Sequence, residues 1–197
     1  MANIIKNAQV AELFIQATAC NTTGNLKDSN ATDLAILKFL SKIGTDFEKK
    51  REEHLPEGFM RFQFTSKRKK MGTILENIND NQYGYNKRLI VKGAVEIVLG
   101  TCNTYLDQDG QHRNLTKEKR EELDKIITSF AKDSLRCICL AYKDLKENEG
   151  GQDHDEMHID KVNRVVEQDG LTCIGIVGIR DVIRDEVPEA IRKCNVA

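Results

Sequence analysis

The chain has 197 residues, 40% of them apolar, with 30 lysines and arginines against 31 acidic residues and a formal net charge of -1. That suits one domain, or one with a short appendage, and a single core. The charge balance gives no reason to expect nucleic acid or anionic membrane as a partner, and no run approaches the eighteen or so apolar residues of a membrane helix. Met1 to Phe14 lacks the basic start and apolar core of a secretory signal, so the chain is predicted to stay in the cytosol.

The first predicted helix runs to about Cys20, on an irregular apolar face of Ile5, Leu13, Phe14 and Ala17. A polar loop from Asn21 to Asn30 follows. A second helix spans Thr32 to Ile43, with Thr32 as N-cap, Asp33 in the positive first turn and Gly44 as the stop. A third carries the charge run Phe47 to His54. The apolar period then changes to two: Met60, Phe62 and Phe64 alternate with polar residues and predict a half-buried strand. Met71 to Ile78 and Arg88 to Val91 predict two more strands of an antiparallel meander, separated by Asn79-Asp80-Asn81. Gly93 leads into a short helix through Leu99, and Leu106 to Gly110 reads as a hairpin turn. Thr116 to Phe130 is the strongest helical pattern, with Leu123, Ile126, Ile127 and Phe130 on one stripe. Leu135 to Tyr142 and Leu171 to Ile179 read as buried strands around an acidic loop, Lys146 to Asp155. Val187 to Cys194 starts a last helix, with Pro188 in its first turn. Strands and helices mix without a regular βαβ alternation, so the predicted class is α+β with an antiparallel sheet flanked by helices.

Several chemistries find no support. The six cysteines form no CxxC pair and no zinc-like spacing, and are expected as reduced structural thiols. The sequons at Asn21, Asn30 and Asn114 would matter only in a secreted protein. His154 and His158 lie in a loop rich in Asp and Gly, where a solvated surface is expected rather than a metal site. There is no GxxxxGK(S/T) and no GxGxxG after a strand. Gly175 and Gly178 form only a GxxG inside an apolar strand, which signals close packing.

Four positions carry a functional reading beside a structural one. Phe64 continues the core stripe of Met60 and Phe62 by periodicity, yet an aromatic at a strand end can stack on a base. Lys92 ends the apolar run Leu89-Ile90-Val91 directly before Gly93-Ala94. A snorkelling lysine would explain that, as would a partly desolvated cation beside an anionic ligand, with small residues letting the ligand approach. Arg136 is a charge in an apolar strand, either pointing to water at an edge or paired with an anion. Asp33 is a helix-start residue or a pocket carboxylate. The run Lys67 to Lys70 is too short for a nucleic-acid surface.

Five motifs occur together: Asn30-Ala-Thr-Asp33, Phe64 to Met71 (FTSKRKKM), Lys92-Gly-Ala94, Leu135 to Tyr142, and Leu171 to Arg184. In this order and spacing the chain resembles the nucleotide-binding domain of P-type ATPases, most closely the calcium pumps of plasma-membrane type, over nearly its whole length. The resemblance implies that Phe64 stacks on adenine, Lys69 lies near the nucleotide and Met71 forms an apolar wall. It also implies that Lys92, Gly93 and Ala94 line the ATP pocket and that Lys92 and Arg136 steer the phosphates. Asp33 stands where the family usually carries glutamate at the adenine end, Val95 where many members have proline or serine, and Val182 where a hinge proline is usual.

The resemblance implies a nucleotide-binding domain over residues 1–181, with 182–197 as hinge and start of the phosphorylation domain. ATP would be the ligand, with magnesium in the intact enzyme, and the phosphorylation and actuator domains of the same pump would be the partners. The expected state is a monomer at the cytoplasmic face of a membrane, without direct membrane contact. The family's D-K-T-G-T and G-D-G-x-N-D motifs do not occur, so no catalytic residue and no metal ligand is expected, and nucleotide should bind without turnover. Two other classes stay open on the residues alone: an ATP-independent interaction module using the helix Thr116 to Phe130 or the acidic loop, and a free-standing hydrolase.

Overall fold

The computed structural model describes residues 5–146, 149, 167–180 and 186–196. The chain begins with three helices, α1 (Ala8–Ala19), α2 (Ala31–Lys42) and α3 (Phe47–His54). Strands β1 (Arg61–Phe62), β2 (Lys70–Leu75) and β3 (Arg88–Ala94) follow. A short helix, α4 (Val95–Val98), then runs through one 3-10 turn into β4 (Cys102–Leu106) and β5 (His112–Asn114). Helix α5 (Lys117–Lys132), the long strands β6 (Leu135–Asp144) and β7 (Leu171–Arg180), and α6 (Glu186–Val196) complete the order.

The seven strands form one sheet in the order β1-β2-β3-β6-β7-β4-β5. Its pairs are antiparallel except β4 with β7, which run parallel. The fold is therefore α+β, as the mixed pattern predicts. Neighbouring residues along a strand face opposite ways, and here they feed two separate buried clusters. Ile90, Leu140 and Tyr142 pack with Leu13, Leu37, Leu40 and Phe47 of α1 to α3. Val91, Cys139, Ala141 and Cys173 pack with Val95, Val98 and Leu115 on the other side, where Leu123 and Ile127 of α5 lean in. The single core expected from composition is thus a two-sided one. Burial on both faces is why β3, β6 and β7 read as nearly continuous apolar runs.

Element ends differ from the sequence reading for local reasons. The N-cap of α2 is Asn30, not Thr32: its side-chain oxygen accepts the Asp33 amide at 3.0 Å, which puts Asp33 at the third helical position. The alternation from Met60 to Phe64 does not produce a strand through Phe64. β1 is two residues long, and the chain leaves the sheet at Gln63, whose carbonyl takes the Arg68 guanidinium at 2.6 Å. β2 stops at Leu75 rather than Ile78, while β3 continues past Val91 to Ala94. Gly178 of the GxxG run lies where an added Cβ would come within 2.9 Å of the Leu135 side chain, so that glycine serves packing. All six cysteines are free, with Cys139 Sγ and Cys173 Sγ 3.8 Å apart. His154, His158 and Asp181 to Arg184 lie outside the described residues.

The C-terminal end of α1 is tied down by two arginines from other elements. Arg51 Nε donates to the Ala19 carbonyl at 2.8 Å, and Arg61 Nη2 to the Cys20 carbonyl at 2.8 Å. These are the carbonyls a helix end leaves without partners, at the negative pole of its dipole. Arg51 also reaches Gly24 O at 2.7 Å and Thr22 Oγ1 at 2.7 Å, so the loop after α1 is held along its length. Asn21 is fully buried in that loop. Its amide donates to Met71 O at 3.1 Å and accepts from Thr73 Oγ1 at 2.8 Å, which removes its sequon from solvent in the folded chain.

Candidate functional site

Strand parity and register bring three of the singled-out residues onto one face. Met71 of β2 lies opposite Lys92 of β3, and Lys92 opposite Leu140 of β6. Arg136 shares the parity of Leu140 four residues earlier on β6. All three point to the side that α1 to α3 cover, at the end of the sheet where the N-terminus of α2 approaches. A cleft of about 590 Å³ opens there. Its walls are the start of α2, the turn before β2, the end of β3 and the start of β6. Asp33, Phe64, Lys69, Met71, Lys92, Gly93, Ala94 and Arg136 all line it. Asn30, Thr32, Glu96, Cys137 and Ile138 line it as well; of these, Asn30 and Thr32 were visible in the first motif, and Glu96 carried no signal. The lining is mostly apolar, and the volume is in the range of small-molecule pockets, roughly 300–1,000 Å³.

The depth of the cleft is built around an ion pair. Lys92 is 6% exposed and Asp33 only 2%, and the Lys92 ammonium donates to Asp33 Oδ1. The other carboxylate oxygen accepts from the Thr23 amide at 2.8 Å and the Thr23 hydroxyl at 2.9 Å. Burial pushes the Asp33 carboxyl upward, but the Lys92 charge and the hydrogen bonds from Lys92 and Thr23 outweigh it and hold the pKa below 3.8. For Lys92, burial pulls the pKa down from 10.5, opposed only in part by Asp33. The Asp33 carboxylate thus offsets part of the burial cost of the Lys92 ammonium. Sequence reading singled out both residues but not their partnership, and it missed Thr23 altogether.

The turn from Thr65 to Lys69 sets the outer wall. Lys69 N donates to Thr65 O at 2.8 Å, and Lys69 adopts a φ of 53°, a left-handed conformation uncommon for a side chain without a local hydrogen-bonding group. Its carbonyl accepts the Ala94 amide at 2.9 Å, which clamps the turn onto the end of β3. Gly93 makes that clamp possible. A Cβ there would meet Lys70 Cα at 2.7 Å and the Lys69 carbonyl oxygen closer still. Beyond this fixed turn Phe64 stands 58% exposed, whereas Phe62 is buried. The core-stripe reading therefore fails for Phe64: an aromatic ring is presented to the cleft and to solvent, not to the interior. Met71 is buried at the base of the wall. Arg136 is exposed at the opposite side, where its Nη1 donates to Thr32 Oγ1 at 3.2 Å.

A family model described as P-type ATPase, cytoplasmic domain N, matches residues 8–186. The chain belongs to that family. It is 40% identical over 171 residues to plasma membrane calcium-transporting ATPase 3 of Homo sapiens, an alignment covering 85% of this chain and 13% of the relative. Plasma membrane calcium-transporting ATPase 1 of Gallus gallus is 39% identical over 171 residues, with the same coverage. Plasma membrane calcium-transporting ATPase 4 of Homo sapiens is 36% identical over 170 residues, again covering 85% and 13%. The N-domain chain thus spans about an eighth of the length of these pumps. None of its helices, among the described residues, is long and apolar enough to cross a membrane.

Proposed function

We propose that this chain is the nucleotide-binding domain of a calcium-transporting P-type ATPase and that its cleft holds ATP. The observation that carries the reading is the exposed ring of Phe64 over a mostly apolar cleft, with a paired, buried Lys92 in its depth and Lys69 and Arg136 at its sides. Phe64 stacks on the adenine, an interaction worth on the order of 1–3 kcal/mol by analogy with related base–aromatic contacts. Met71 forms an apolar wall, and Gly93 and Ala94 leave room for the ligand against the backbone. Lys92 keeps ammonium protons beyond the one given to Asp33 and donates them to acceptors on the nucleotide. Asp33, with both oxygens engaged, acts as the counter-ion that positions Lys92. Arg136 and Lys69 face the phosphates.

No residue of this chain is assigned a catalytic role. The γ-phosphate is delivered to an aspartate of a separate phosphorylation domain, and this domain's contribution is positioning. Magnesium, when bound to the nucleotide, offsets phosphate charge. The chain's own share in offsetting that charge is the cationic wall of Lys69, Lys92 and Arg136. Residues 1–181 form the binding domain and 182–197 return toward the phosphorylation domain. The domain works as a monomeric unit at the cytoplasmic face of a membrane, with the phosphorylation and actuator domains as its neighbours.

Titration with ATP, followed by amide chemical shifts, tests this. Shifts should concentrate at Phe64, Lys69, Lys92 and Arg136, with a Kd of roughly 0.1 mM to several mM for these 197 residues titrated by themselves. They should fade in Phe64→Ala and in Lys92→Ala. Silence up to about 10 mM ATP in the folded wild type would refute the reading in favour of an ATP-independent interaction module.

A further inference from the structure

The cleft is graded from a paired, buried floor to a charged, exposed mouth. At the mouth Lys69 Nζ stands 3.8 Å from Glu96 Oε1, with side chains 56% and 67% exposed. A carboxylate is out of place there on simple charge grounds, because it repels a polyphosphate. Its backbone is tied to the mouth. Lys69 O is bonded to Ala94 N, Gly93 packs directly against residues 69 and 70, and Glu96 follows two residues on in the first turn of α4. The deep carboxylate differs, since both oxygens of Asp33 are already taken by Lys92 and Thr23.

We infer that Glu96 is a specificity-determining residue: it cancels the field of Lys69 at the mouth, so the cleft grips a nucleotide by its base and distinguishes weakly between one, two and three phosphates. The inference rests on the nucleotide reading above. Opposite unit charges this close act on a phosphate several ångströms away as a dipole rather than a cation. A lone lysine about 6 Å from each added phosphate charge would tighten binding roughly three- to fivefold per charge in a near-aqueous setting. Paired with Glu96, the same lysine should give less than about twofold per charge, and added salt should shrink both effects. The exposed pair is weak enough for Lys69 to swing toward a phosphate, but Glu96, held at the mouth through its backbone in the first turn of α4, keeps its charge close enough to oppose that phosphate. The terminal phosphate is then left weakly held on this domain and available to the groups that accept it.

The test uses the 197-residue chain in low salt with EDTA, titrated with adenosine, AMP, ADP and ATP while amide shifts are followed. Wild type should bind AMP and ATP within about threefold of each other. Glu96→Gln should tighten ATP by roughly three- to tenfold while moving adenosine by less than twofold. In the double variant Lys69→Met/Glu96→Gln that gain should vanish. Equal tightening of all four ligands, no tightening of ATP, or a tenfold step per phosphate already in wild type would overturn the role of Glu96. If adenosine and all three nucleotides fail to bind, the nucleotide reading itself falls. Adenosine binding with unchanged phosphate steps sinks the Glu96 inference alone.

Discussion

Replacing Asp33 by alanine should destabilise the fold far more than a surface charge change would. The substitution leaves the Lys92 ammonium 6% exposed without its counter-ion, and strips the Thr23 amide and hydroxyl of the oxygen that accepted both. Removing one partner of a buried ion pair costs about 3–5 kcal/mol, against a total stability of about 5–15 kcal/mol for a typical domain. Urea denaturation followed by far-UV circular dichroism should therefore show a markedly lower midpoint with an unchanged slope. The double variant Asp33→Ala/Lys92→Met should recover at least about half of the loss, because an apolar pair of similar volume needs no compensation in a buried site. The argument also fixes a pH window. The folded-state pKa of Asp33 lies below 3.8, so its stabilisation is complete above the ordinary carboxylate range and is lost as pH falls through the lower folded value. Through the titration of Asp33 itself, the difference between wild type and Asp33→Ala should narrow as pH falls below about 4. A loss under about 1 kcal/mol, or a double variant as unstable as Asp33→Ala, would refute the pairing argument.

Phe64→Ala should weaken ATP binding about five- to a hundredfold, the equivalent of losing 1–3 kcal/mol of stacking. Its urea midpoint should stay close to wild type because the ring is 58% exposed. Gly93→Ala should cost about 1–3 kcal/mol in the same denaturation assay, since its Cβ would press on Lys70 Cα and the Lys69 carbonyl. It should also shift the amide resonances of Lys69 and Ala94, whose hydrogen bond clamps the turn. Thiol labelling of the native chain with a disulfide reagent should modify exposed Cys194 first and half-buried Cys137 slowly, leaving the other four until urea is added. Burial pushes the Cys20 thiol up to about 12, so raising the pH to 9 should not expose it to reaction.

Residues whose neighbours are set by strand parity were legible in the sequence. Met71, Lys92 and Arg136 share a face because β2, β3 and β6 pair in one register, and the apolar runs already marked those strands. Helix α3 was marked by its charge run and α5 by the stripe Leu123, Ile126, Ile127 and Phe130, while the cap of α5, the Thr116 hydroxyl accepting the Lys119 amide, is seen in the structure. Contacts made across long sequence gaps were not legible. Nothing local to Arg51 or Arg61 says that they will cap the end of α1, and Thr23 is an ordinary loop residue until its amide meets Asp33. Phe64 shows how periodicity misleads at a strand end. The pattern continues for two residues after the sheet has stopped, and only the bond from Arg68 to the Gln63 carbonyl reveals where the chain turns away. The turn between β4 and β5 was legible as a hairpin at Leu106 to Gly110, but β5 itself was not, because it is exposed throughout and carries no apolar alternation.

The charges of the cleft are best understood together with the loop that supports them. A buried ion pair adds little net stability compared with an apolar pair of the same size, so the Lys92–Asp33 pair is poorly explained as a device for holding the fold. Its position is better explained by what it aims. Arg51 and Arg61 hold the loop after α1, the loop places Thr23, Thr23 occupies one oxygen of Asp33, and Asp33 holds Lys92 by the other. Each member of that chain is bonded within the protein before any ligand arrives, so the orientation of the Lys92 ammonium is fixed in advance. The mouth is built on the opposite plan, with long exposed side chains free to rearrange. Under the proposed nucleotide reading, the rigid depth would present Lys92 in a fixed orientation, and the adaptable mouth would be where a neighbouring domain competes for the phosphates.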